Sequence, residues 1–121
     1  MTNTPEEAVR RIDALGAHVW MVRAFIKHSE EAEEDDELNE VQRELYDFLH
    51  ALGPALAAGD FAEYLKQAKK KLSKLQRAVK AFAELQPQIS THTNFLMARQ
   101  SLETAVAEIA QVLATLVATK S

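Results

Sequence analysis

The sequence predicts an all-α protein, an up-down-up-down antiparallel four-helix bundle that takes up residues 1–121 as one domain. Three observations carry that expectation. Apolar residues recur at spacings of three and four in four separate segments, the period of a helix with one buried face. Alanine supplies 20 of 121 residues, whereas glycine and proline supply three each, which favours helix over turn-rich β structure. The segments are joined by short stretches, and short connections make neighbouring helices antiparallel. A chain of this length buries roughly two-thirds of the surface it exposes unfolded, so it needs no staples. It has none of the usual ones: no cysteine is present, which excludes disulfides, thiolate metal sites and thiol nucleophiles.

The first helix is expected over about 5–33. Thr4-Pro5-Glu6-Glu7 forms a capping box with proline at the first helical position. Ile12, Leu15, Val19, Val22 and Ile26 make its core stripe, and Gly16 beside Trp20 suggests a close helix approach. Its end falls inside an acidic run, because carboxylates favour helix starts over helix ends. The second helix, about 36–58, carries Leu38, Val41, Leu45, Phe48 and Leu52; Gly53-Pro54 should end or kink it. Gly59-Asp60 is the clearest boundary, a glycine stop followed by an aspartate cap with Glu63 three residues on. The third helix, about 60–86, carries Leu65, Ala68, Leu72, Leu75, Val79 and Phe82 and stops near Pro87. The fourth, about 92–119, starts from a cap at Ser90 or Thr91 and carries Phe95, Leu102, Ala105, Ile109, Val112 and Leu116.

Two surfaces stand out. Residues 30–47 hold ten acids and one arginine, whereas residues 61–86 hold seven basic residues and two acids; the net charge of −4 hides this segregation. Lys66, Lys69, Lys70, Lys74, Arg77 and Lys80 share one arc of the third helix, opposite its apolar stripe. Repulsion along that arc calls for something negative, either the acids of the second helix or an acidic partner. The second surface is apolar. Val106, Ile109, Leu113 and Val117 widen the fourth helix's apolar face beyond one stripe, and Trp20 widens the first. Wide apolar faces mark interfaces, so a homodimer through the first and last helices is expected. A hydrophobic ligand pocket between helices is the alternative use of such faces.

Catalytic motifs are sparse. The family of histidine phosphotransfer domains, whose phosphorylated histidine is followed by lysine and glycine, finds no match at His18, His28, His50 or His92. His28, Glu31 and His92 are placed at one end of the bundle and form the candidate metal site. Arg23–His28 and Arg43–His50 resemble HEPN-type helical ribonucleases in spacing only; the polar residue that family favours after arginine is replaced by Ala24 and Glu44. Three glycines leave no phosphate-cradling loop, and no serine lies in a nucleophile motif.

The expected function is therefore a small interaction or assembly module, more binder than enzyme. Two alternatives are a nucleic-acid-associated protein using the basic arc, and a metal-dependent or HEPN-like enzyme using His28, His92 and the nearby acids. Expected partners are a second copy and an acidic or basic protein, with nucleic acid less favoured, no membrane and no cofactor. The most apolar stretch, Ala14 to Ile26, is interrupted by His18 and Arg23 and is too short for a bilayer. No secretory signal opens the chain, so a cytoplasmic location is expected.

Overall fold

The computed structural model describes residues 4–120, and side chains over residues 4–116. The described residues hold five helices and no strand: α1 (Pro5–Lys27), α2 (Glu30–Glu34), α3 (Asp36–Ala57), α4 (Phe61–Ile89) and α5 (Thr93–Lys120). The four long helices form a ring of contacts, α1 with α5 and α3, and α4 with α3 and α5; α1 and α4 also meet across it. One core of buried aliphatic and aromatic side chains fills the centre. None of the described helices is long and apolar enough to cross a membrane.

The caps explain the boundaries. Thr4 Oγ1 accepts from the Glu7 amide at 3.1 Å, and Asp60 Oδ1 accepts from the Glu63 amide at 3.0 Å. Gly59 adopts φ +67° beyond the end of α3. Its amide donates to Leu56 O and that of Asp60 to Ala55 O, a Schellman closure that satisfies carbonyls the helix leaves open.

Three boundaries differ from expectation. The first helix stops at Lys27 instead of running to about 33, because Ser29 Oγ caps a separate short helix, accepting from Ala32 N at 3.2 Å. Asp35 Oδ1 then accepts from Leu38 N at 3.0 Å and opens α3. The acidic run thus supplies two helix starts in place of one, where its charges are favourable. Pro87 lies inside α4, which runs on to Ile89 rather than stopping near the proline, while Pro54 lies inside α3, whose end at Ala57 agrees with the expected end near 58. Each stands within a turn of the helix end, so its missing N–H removes one bond where few remain to be made. The cap of α5 is His92 rather than Ser90 or Thr91: Asn94 N donates to its Nδ1 at 3.0 Å, and Phe95 N and Leu96 N donate to its carbonyl.

Candidate functional site

A surface groove of about 400 Å³ runs between α1 and α3. It exists because small residues line it. Gly16 is buried, and a Cβ built there would lie 3.3 Å from Leu49 Cδ2, so the helices approach closely at that level. At Gly53 a Cβ would meet nothing within 4 Å, which leaves the α3 wall open. Trp20, Met21 and Leu56 border the groove and remain 45%, 67% and 40% exposed. Asp13 and the buried Tyr64 of α4 supply its polar lining.

Beyond Trp20, one turn further along α1, lies Arg23. It is buried, at 9% exposure, and its Nε has no hydrogen-bond partner. Its Cζ lies 4.8 Å from the centroid of the Trp20 ring and 4.8 Å from that of Tyr46. Those centroids are 6.3 Å apart and the rings are tilted by 43°, so the guanidinium sits in the notch of a V. His50 stacks on Tyr46 at 5.5 Å. Face-on attraction to the two rings offsets part of the cost of removing the cation from water.

Burial, and secondarily the carboxylate of Asp13, push the Tyr64 phenol above its usual value of 10.0. The neutral phenol is therefore favoured more in the folded than in the unfolded chain. Below pH 10 both states hold the proton and Tyr64 adds no pH dependence. As pH rises past 10 the unfolded state ionises first and folding stability falls. Chemical denaturation at pH 9, 10 and 11 should show this loss, and Tyr64→Phe should reduce it; an equal loss in the variant would place the titration elsewhere.

The other candidate residues are placed as follows. Trp20 borders the groove. Val106, Ile109 and Leu113 are 3%, 0% and 3% exposed, so the wide face of α5 is covered within one chain, contrary to its expected use as an intermolecular interface. The reason is that α5 packs against both α1 and α4 and buries two flanks of one helix. The side chain of Val117 lies outside the described residues. Lys66, Lys69, Lys70, Lys74, Arg77 and Lys80 are all exposed, as expected of an arc opposite the core. Lys74 and Arg77 share a cleft with Glu37, Glu40 and Glu44 of α3, so the acids of the second predicted helix do meet part of the arc.

His28, Glu31 and His92 are not drawn together. His28 caps the end of α1, Glu31 belongs to α2, and His92 uses its ring nitrogen to cap α5. Among the described residues no three histidine or acidic side chains form a metal-holding group. Neither arginine–histidine spacing makes a paired site: Arg23 is held by Trp20 and Tyr46, while Arg43 pairs with Glu40 at 3.7 Å and His50 stacks on Tyr46. His18 Nδ1 lies 3.4 Å from Ser101 Oγ, and among the described residues no carboxylate is bonded to the imidazole to complete a catalytic set.

Asp13 and the role of Arg23 escaped the sequence analysis. One signal was present: Arg23 is a lone charge on the buried side of α1, in helical register with Ile12, Gly16 and Val19.

The family model of cobalamin adenosyltransferase matches residues 5–114. No curated protein and no solved structure matches the chain. The match begins with the first residue of α1 and reaches far into α5, so the chain belongs to the cobalamin adenosyltransferase family. Membership in a characterised enzyme family overturns the expectation of an interaction or assembly module, and the expected homodimer and cytoplasmic location gain no support from it. Helical periodicity is common to binding modules and enzymes alike.

Proposed function

We propose that this chain, as a member of that family, acts in placing an adenosyl group on a cobalamin, and that the α1–α3 groove receives one of the two reactants. The family match over residues 5–114 carries this reading. The groove supports it in kind: about 400 Å³ is within the range of small-molecule sites, and an apolar lining with a few polar groups is their usual character. The exposed Trp20 ring offers a flat apolar face to a corrin edge or an adenine. A corrin macrocycle with its side chains is larger than the groove, so the groove takes one portion of it. Asp13 and Tyr64 orient that portion by hydrogen bonds. Met21 and Leu56 keep water from its apolar faces. In this reading the four long helices run up-down-up-down and the groove is the seam between the first and second of them.

The test is direct. Purified protein is mixed with reduced cobalamin and a panel of adenosine-bearing donors, and the corrin absorption bands are followed for formation of adenosylcobalamin. Product above the protein-free rate, lowered at least about tenfold by Trp20→Ala, is the expected result. No product with any donor, and no quenching of Trp20 fluorescence by cobalamin, would remove the reading.

A further inference from the structure

We propose that a second cleft, between the starts of α1 and α4 and the last described turns of α5, binds a medium-chain aliphatic carboxylate. The cleft shares no lining residue with the α1–α3 groove, and its use needs no adenosyl transfer. Its volume is about 280 Å³. Leu113 and Leu116 of α5, both buried, and the half-buried Leu65 of α4 form its floor. Pro5 and Ala62 stand exposed at the rim, together with Lys66 and Lys69.

The two lysines are three residues apart on one face of α4, so their charges repel. Lysine lays its methylenes along apolar surface and carries its ammonium out to the edge. Both are exposed, and among the described residues neither pairs with an acid. The acids flanking the cleft in sequence are already engaged. Glu6 pairs with Arg10 at 3.5 Å, Asp60 caps α4, and Glu63 Oε1 accepts from Gln67 Nε2 at 2.9 Å. An apolar floor thus ends at two cations that lack a counter-charge.

That combination selects a ligand with an aliphatic body and an anionic end. Taking a methylene as about the ~30 Å³ that a water molecule occupies in the liquid, the cleft holds a chain of about eight or nine groups. Sites for drug-sized ligands start at about 300 Å³, so one slender chain fits and a ring-bearing cofactor does not. Lysine ammoniums are point charges, not the planar fork that grips a phosphate in two parallel bonds, so a carboxylate is the fitting head group.

Isothermal titration with butanoate, hexanoate and octanoate tests the site, with octan-1-ol as the uncharged control. No cobalamin or adenosine donor is present, so failure here is separable from failure of adenosyl transfer. Affinity should rise about three- to fourfold per added methylene, the gain from burying one. Lys66→Met combined with Lys69→Met keeps most of the apolar stems and removes both charges. It should weaken octanoate at least about tenfold and leave octan-1-ol unchanged. Lys74→Met removes a charge from the same helix outside the cleft and should change nothing. Ala62→Phe, at an exposed position, should fill the cleft; octanoate should raise the parent's melting temperature but not this variant's. If Ala62→Phe folds poorly, the lysine pair, exposed and outside the core, still decides. No saturable heat, an affinity independent of chain length, octan-1-ol bound as tightly as octanoate, or unchanged octanoate affinity in the double lysine variant would each overturn the proposal. A mass in solution that falls in Ala62→Phe would assign the cleft to a second copy of the chain and overturn it as well.

Discussion

Replacing Tyr64 by alanine is expected to lower the free energy of unfolding by about 3–5 kcal/mol, the range for removing a large aromatic side chain from a core. Tyr64 belongs to α4, yet it lines the groove between α1 and α3 and is only 1% exposed. Its ring therefore closes the groove from beneath and ties α4 to the opposite side of the bundle. Alanine would remove both the buried area and the wall. Against a total stability of about 5–15 kcal/mol, such a loss is a large fraction. Trp20→Ala provides the contrast: Trp20 is 45% exposed, and its removal should cost about 1 kcal/mol or less. Urea denaturation of the two variants checks the difference. Equal, small costs would mean that Tyr64 is not packed beneath the groove.

Gln86→Leu is expected to cost about 2–3 kcal/mol, although leucine is apolar and of similar size, because it orphans hydrogen-bonding groups. Gln86 is 1% exposed and near the end of α4. Its Nε2 donates to the Ser90 carbonyl at 2.9 Å, and its Oε1 accepts from Arg99 Nη1 at 3.2 Å. One side chain thus satisfies the turn after α4 and links it to α5. Leucine would leave the Ser90 carbonyl without that donor and Arg99 with only its exposed pair to Glu103 at 3.4 Å. The measurement is again urea denaturation, joined to amide exchange over residues 86–95. A neutral substitution with unchanged exchange would show that packing, not this network, holds the corner.

The helix caps and the core were readable in the sequence because both are local or periodic. Thr4, Gly59 and Asp60 act within a few residues of their own positions. Ile12, Leu45, Leu75 and Ile109 lie on stripes that repeat with the helix and end at or below 1% exposure. The acidic run was harder, since a string of carboxylates states that a helix begins but not how many begin. Ser29 settled that by capping a helix of its own. The interface reading failed at Val106 and Leu113 for another reason. An apolar face wide enough for a partner looks the same in one chain as a face wide enough for two neighbouring helices. Family membership, too, was not read from the residue spacings; it rests on a match that covers residues 5–114.

By itself the sequence determined the helical class, most helix starts and which residues form the core, since those depend on the 3.6-residue period and on caps that reach three residues. Only the tertiary structure decided which charges are paired and where a groove opens between helices. Arg23 became a covered cation because α1 approaches α3 closely at Gly16, which brings Tyr46 over a guanidinium that helical register places on the inner side of α1 without showing what covers it. Burial and pairing are properties of where helices meet, and the meeting points are set by the shapes of side chains far apart in the chain.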